Sequence, residues 1–436
     1  MSPELIGAVG FVVMLLLMFI GIPVAVSMLV VGLVGYALLT NVYQASTLAS
    51  LWATSTIRDY TLAVLPAFLL MGELGDISGM MKEAYKSANT WLGNLPGGLA
   101  MASILGAAGF SAVSGSSMVC AAVMGRIALP HLIEHKYDPS LATGALAAGG
   151  TLGNLIPPGI LLVFYAVLTE SSLGKLFIAC LIPGVLLVFM YLLQIYLQCR
   201  VKPSLGPRAG STTWRQKFLA TNGMVAVTIV FAIIMGGIYL GVFTPNEAAS
   251  IATVVVFVYA LMRKTLNGQT LVQAFKNTLI TSGMSFAIII GANIFSAFTA
   301  VSQLSQTLAT WLMDLNLSML GLVIFIMVVY FILGIFMGPM VMMLLTLPIF
   351  LPIINAYNIN LLWFGVLVIV QMELSQLSPP VGMNLFVIAA MGKPYGISMS
   401  TVFRGALPFC VTMLVFNVIL IAFPQIALFL VNKMTV

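Results

Sequence analysis

Apolar residues run through this 436-residue chain in long stretches, with polar residues confined to short gaps between them. A membrane-spanning helix needs about 20 mostly apolar residues, and the chain offers about ten such runs. The first covers residues 5–39 and is interrupted only at Gly21-Ile22-Pro23. One helix of that length would reach ~50 Å, too long for a ~30 Å hydrocarbon core. Two spanning helices meeting near Pro23 are therefore expected. A loop ending at Arg58-Asp59 follows, then a helix over about 60–78, then an amphipathic stretch with Lys82, Glu83 and Lys86.

The next run, residues 97–130, is split by Ser114-Gly115-Ser116-Ser117. Four small residues inside an apolar run lower helix propensity and free backbone groups, which predicts a re-entrant hairpin. After the polar connector His131–Asp138 comes a helix over 140–168, broken between Gly149 and Pro158, and then a helix over 176–198. The basic segment with Arg200, Lys202, Arg208, Arg215 and Lys217 contains no acid.

Beyond it the plan recurs. Leu-Pro at 129–130 is followed 27 residues later by Pro157-Pro158, and Leu-Pro at 351–352 is followed at the same interval by Pro379-Pro380. The two copies superimpose with a shift of 222, which also pairs Pro23 with Pro245 and Phe164 with Phe386. The second copy predicts helices at about 222–241 and 246–262, a basic connector to Lys276, and a helix at about 278–300. A second hairpin at 319–352, a broken helix at 361–390 and a last helix at 405–430 complete it. The domain plan is a first repeat over 1–199, a linker over 200–221 and a second repeat over 222–436.

Composition agrees: 61% of residues are hydrophobic and only 6% charged, far too little charge to cover a soluble domain. An all-α polytopic membrane protein follows. In such a chain the +6 net charge reports orientation rather than nucleic-acid binding. With the linker in the cytoplasm and each hairpin crossing zero times, each repeat has about five spanning helices and the amino terminus lies outside. The basic residues then fall overwhelmingly inside; Arg58, Lys175 and Lys433 fall outside and Arg126 lies within the first hairpin. An odd number of crossings per repeat makes the repeats inverted, with the hairpins opening from opposite sides, a layout of many secondary transporters. Met1-Ser2-Pro3-Glu4 lacks a basic n-region, so the first apolar run is expected to be a permanent helix.

Irregular backbone at membrane depth persists only where it is buried in protein or lines a wet cavity. Four breaks in two symmetric sets therefore point to a site between the halves. Freed carbonyls there suit a hard cation such as Na⁺, and half-helix amino termini after Ser117 and Pro158 suit an anion; small residues alone would also permit close helix packing. Two intramembrane charges stand out. Arg126 either attracts an acidic substrate or snorkels to the interface, and Glu373 either partners a proton or cation or fixes a helix by a hydrogen bond. Cys120, Cys180, Cys199 and Cys410 are scattered in apolar runs and read as packing residues. His131 and His135 share one connector with no metal-binding set around them. Neither Gly174-Lys175-Leu176 nor Gly392-Lys393-Pro394 completes a Walker A loop, and no nucleophile–base set is present; the expectation is a transporter, not an enzyme.

At Leu95-Pro96-Gly97-Gly98-Leu99-Ala100, Ser114-Gly115-Ser116-Ser117, Ala148–Pro158 and Pro379-Pro380-Val381-Gly382-Met383-Asn384-Leu385-Phe386, the chain resembles the large membrane subunit of the tripartite ATP-independent periplasmic (TRAP) transporters. The resemblance extends over essentially the whole chain. It implies an elevator-type, Na⁺-coupled importer of organic acids such as a dicarboxylate or sialic acid in a bacterial inner membrane. Its partners would be a small four-helix membrane subunit and a periplasmic substrate-binding protein. Carried over, one Na⁺ site falls on Ser111, Ser114, Gly153, Ile156 and Pro158, and the other on Gly334, Ser375, Ser378 and Val381. The shift of 222 maps Gly153 to Ser375 and Ile156 to Ser378. The expected substrate cavity takes in Ser116, Ser117, Asn154, Pro157, Gly338, Pro339, Gln376 and Pro379, with Arg126 as an attractor of the anion. The chain departs from many relatives at Asn154, Gly338-Pro339, Ser375, Gln376 and Ser378. A stand-alone dicarboxylate/Na⁺ carrier is the alternative transport reading.

Overall fold

Two helices form the axis of the molecule, and both are broken. Pro139–Leu155 and Leu361–Leu377 are buried along almost their whole length, which places their irregular ends inside protein, as lipid would demand. The computed structural model describes residues 2–208, 212–315 and 317–434, and among these every regular element is helical. Among the described residues nine helices are long and apolar enough to span a membrane, and a bent pair would make ten. Residues 209–211 of the expected linker lie outside the described residues, as do Met1 and the last two residues of the second repeat.

The repeat holds at the level of single hydrogen bonds. Pro139–Leu155 shifted by 222 becomes Leu361–Leu377, and Ser117–Glu134 becomes Pro339–Ala356, both to the residue. Asp138 caps the first broken helix by accepting from the Ser140 and Leu141 N–H groups; Asn360 caps the second by accepting from Leu362 and Trp363. Lys136 and Asn358 both take positive φ (57° and 53°), each ending a hairpin arm with the same pair of backbone bonds.

Both expected hairpins form. The first joins Gly98–Ser114 to Ser117–Glu134, and Ser111 lies against Cys120 across the tip. The second joins Met319–Phe336 to Pro339–Ala356, and Thr346 donates to the Tyr330 hydroxyl at 2.7 Å. Each has a second arm longer than expected, ending at Glu134 and Ala356 rather than 130 and 352, because Pro130 and Pro352 sit inside continuing helices. The broken helices resume at Ile160–Leu168 and Met383–Gly392. The second arm of the first hairpin packs on Met383–Gly392, and reciprocally the second arm of the second hairpin packs on Ile160–Leu168.

Other boundaries also differ from the sequence expectation. Residues 42–58 are a helix, Val42–Arg58, capped by Asn41; its polar composition hid it. The linker is shortened at both ends by the helices Leu173–Val201 and Trp214–Phe231. The connector to Lys276 is helical and belongs to one helix of 34 residues, Gly268–Val301, about 51 Å long. Finally, the last spanning helix starts early, at Met399, behind the cap Ser398, and ends at Ala422, with a short helix Gln425–Leu428 beyond it. The amphipathic stretch forms Met80–Leu92, bent 64° from Val64–Ile77, with Glu83 paired to Arg263 at 2.9 Å. All four cysteines are buried and free.

Candidate functional site

Each hairpin tip meets the break of its own half. At the first junction the Ile160 N–H, just past the break, donates to the Gly115 carbonyl at 2.9 Å. A Cβ on Gly153 would lie 2.6 Å from the Ser116–Ser117 peptide, and one on Gly115 would overlap the Pro158 carbonyl. Only glycine allows backbones to approach this closely. Ser114 is buried there with an unpartnered hydroxyl. The Ser111 hydroxyl donates to Ala107 and its carbonyl accepts from the Gly115 N–H. Of the expected first cation set, Ser111, Ser114, Gly153 and Pro158 are thus drawn to one junction. Ile156 caps the half-helix, its side chain turned to Gly184.

At the second junction a Cβ on Gly334 would overlap Ser375. Ser375 and Ser378 donate their hydroxyls to Met372 and Leu374 carbonyls, the Ser378 hydroxyl also lies against the Cys410 thiol, and the Ser378 carbonyl accepts from Gly382 at 3.1 Å. Gly334, Ser375 and Ser378 therefore cluster, while the Val381 side chain is 42% exposed. No His, Cys, Asp or Glu group of three or more that could hold a metal occurs among the described residues. Any ion held at either junction would rest on carbonyl and hydroxyl oxygens, which suits a hard monovalent cation.

Between the junctions lies a buried polar cluster contributed by both halves. Asn154 donates to the Ser117 hydroxyl at 2.8 Å and to Glu373 Oε1 at 2.7 Å, and Gln376 donates to the same oxygen at 3.0 Å. The Ser117 hydroxyl borders this carboxyl too. Asn154 and Gln376 are repeat equivalents, whereas the equivalent of Glu373 is Thr151, so two related amides converge on an acid that only one half supplies. Ser117, Asn154 and Gln376 of the expected cavity therefore come together.

The other cavity residues lie apart from this cluster. Ser116 contributes backbone at the first junction, and Gly338 faces the Met383 methyl. Pro339 and Pro379 are half-buried. Pro157 lines an apolar crevice of about 330 Å³ with Ile156, Cys180 and Phe231, so its ring faces away from the polar cluster. Arg126 is exposed, within electrostatic reach of Asp76, and Glu73 accepts from Asn277 at 3.0 Å.

Sequence reasoning missed Asn384, which is fully buried with neither amide atom bonded. A lone amide within the apolar run 383–390 was the available signal. It also missed the Asn417–Gln371 bond of 2.7 Å between two buried side chains.

A family model described as the DctM component of the tripartite ATP-independent periplasmic transporters matches residues 11–426. The chain is 37% identical to the C4-dicarboxylate TRAP transporter large permease protein DctM of Pseudomonas aeruginosa, over 86% of this chain and 87% of that one. It is 30% identical to the sialic acid TRAP transporter large permease protein SiaM of Vibrio cholerae, over 95% and 96%. The solved YdaH transporter of Alcanivorax borkumensis shares the fold, with a TM-score of 0.64 at 16% identity over 86% and 87% of the two chains. The relatives are named as transporter permeases, and the apolar helices match a multi-pass membrane protein. On the breadth of the family match and the identity to these permeases, the chain belongs to the DctM-component family of TRAP transporters, as a large permease protein.

Proposed function

We propose that this chain is the Na⁺-coupled translocating subunit of a system that imports a small organic acid across a bacterial inner membrane. A small four-helix membrane subunit and a periplasmic substrate-binding protein complete the system. The observation that carries this reading is the pair of hairpin tips meeting the breaks of two helices buried along almost their whole length. Transporters commonly build ion and substrate sites from such discontinuous helices. Ser111, Ser114, Gly153, Ile156 and Pro158 hold one Na⁺ as cargo, and Gly334, Ser375, Ser378 and Val381 hold the second. The acid binds between them, at the cluster of Ser117, Asn154 and Gln376.

The halves form inverted repeats with the amino terminus in the periplasm, and the hairpins with their broken helices move as an elevator against the remaining helices. Reciprocal packing of each hairpin on the other half's broken helix supports the two-fold relation, and the basic-residue distribution supports its inverted sense. The relatives are named for C4-dicarboxylates and sialic acid, which sets the range of substrate considered. Because those relatives are parts of TRAP systems, a stand-alone carrier is the less supported reading.

The test is reconstitution of the three proteins in liposomes. Uptake of the acid should require both an inward Na⁺ gradient and the binding protein. Uptake that is unchanged without Na⁺ would overturn the coupling.

A further inference from the structure

A groove of about 440 Å³ lies where three helices end: the carboxyl end of Leu173–Val201 and the amino ends of Pro139–Leu155 and Met399–Ala422. Its volume is within the range of pockets that hold small ligands. The space exists because Ser140, Gly405 and Pro408, all small, line it. Two of the helices meet there through backbone: a Cβ on Gly405 would overlap the Ser140 carbonyl, and one on Gly144 would overlap the Gly405 carbonyl.

Two cations, Lys202 and Arg404, line the same groove, and no Asp or Glu does. Both are exposed. The one ion pair among the described residues joins Glu83 and Arg263, so neither groove cation is paired with an acid. Asp138, two residues from Ser140, turns its carboxylate to the Ser140 and Leu141 N–H groups of its own helix. Two like charges on one groove repel, and an anion between them relieves that repulsion.

Apolar rows lead away from these cations. From Val201, which lines the groove, the exposed Leu197 and Leu193 follow at i−4 and i−8. From Arg404 the exposed Val411 and Val415 follow at i+7 and i+11. Both spacings keep the residues on one helix face. A soluble anion would use the cations and leave the rows idle, whereas a lipid with an anionic headgroup uses both.

We propose that this groove binds one anionic phospholipid, with the phosphodiester between Lys202 and Arg404 and the acyl chains along the two apolar rows. Basic pockets between spanning helices on the cytoplasmic side suit anionic headgroups, and the basic-residue distribution assigns this edge to the cytoplasm. The Arg404 guanidinium offers a planar fork to phosphate oxygens, and the Lys202 ammonium a point charge. Snorkelling alone would hold each cation at the interface without selecting a headgroup. The site depends neither on the transported acid nor on the coupling ion.

The test titrates the purified, delipidated full chain in detergent with dioleoylphosphatidylglycerol or dioleoylphosphatidylcholine and counts bound lipid by native mass spectrometry. Phosphatidylglycerol should bind about tenfold more tightly. Lys202→Gln with Arg404→Gln should remove that preference, whereas Lys202→Arg with Arg404→Lys, which keeps both charges, should retain it. Should the first pair not fold, Lys202→Gln and Arg404→Gln alone should each weaken the preference about threefold. Lys82→Gln with Lys86→Gln removes two exposed cations outside the groove and should leave the preference unchanged. Glycerol 1-phosphate, which has the phosphate without the chains, should not displace the lipid.

Equal binding of the two lipids overturns the proposal. So does an equal loss in the Lys82 and Lys86 variant, which reduces the effect to net charge. Displacement by glycerol 1-phosphate gives the groove to a soluble phosphate ester, and displacement by added small membrane subunit gives it to a protein helix; either result overturns the lipid assignment.

Discussion

The first hairpin closes onto its broken helix through backbone, whereas the second meets its partner through side chains. At the first, the Ile160 N–H bonds Gly115 directly, and Gly153 lies against the Ser116–Ser117 peptide. At the second, Gly334 rests against Ser375, a Cβ added at Gly338 would meet only the Met383 methyl, and Met337–Met340 are half-exposed. Backbone-to-backbone junctions tolerate no added atom and transmit displacement directly. A junction padded by methionine and serine side chains can open by rotamer change. Two halves that agree to the residue in their broken helices and second hairpin arms therefore differ in how each tip is packed, the second more loosely.

Substitutions at the tips can break or sharpen that contrast. The largest effect is expected from Gly153→Leu, which drives a side chain into the first tip: Na⁺-driven uptake should fall on the order of 100-fold while membrane insertion, read by detergent-extractable yield, is unchanged. Ser114→Leu at the same junction should behave alike. Next, Gly115→Ala should cost about tenfold in uptake, since its φ of +61° and the Pro158 carbonyl both oppose a Cβ; Gly338→Ala should cost less than about twofold. Equal losses at the two tips would abolish the distinction between them.

Between the junctions, Glu373→Leu strands the Asn154 and Gln376 donors, and unfolding measurements should show about 2–4 kcal/mol of lost stability. Asn154→Leu removes one of two donors and should cost about 1–2 kcal/mol. The smallest effect is expected at Arg126→Gln. That side chain is exposed and screened by salt, so the apparent KM for the acid should change less than about threefold at physiological ionic strength.

Much of this contrast was invisible in the sequence, though its frame was not. Pro-Pro pairs, Leu-Pro pairs and small-residue breaks locate both hairpins and both broken helices, because interruptions in apolar runs have few other physical meanings. Val42–Arg58 escaped because its polar composition (Gln44, Ser46, Thr47, Ser50) reads as loop, although Asn41 supplies a helix cap. The helix through Lys276 escaped because a basic segment between two apolar runs looks like a connector whether or not it is helical. At the site, Asn154 and Gln376 were legible as departures from relatives, but their convergence on Glu373 was not. That contact joins residues 219 positions apart, and only tertiary packing brings them together. Asn384 carried no periodic signal, being one amide in an apolar run.

The central claim is that the two halves are inverted, so that the hairpins open from opposite sides. Lys136 and Asn358 are repeat equivalents at the bases of the two hairpins, and all four native cysteines are buried, so a single introduced thiol can be read alone. Labelling of Lys136→Cys and Asn358→Cys with a membrane-impermeant maleimide, in intact spheroplasts and in inside-out vesicles, tests the claim directly. The account predicts that Asn358→Cys labels only in spheroplasts and Lys136→Cys only in inside-out vesicles. Labelling of both thiols from the same side would contradict it.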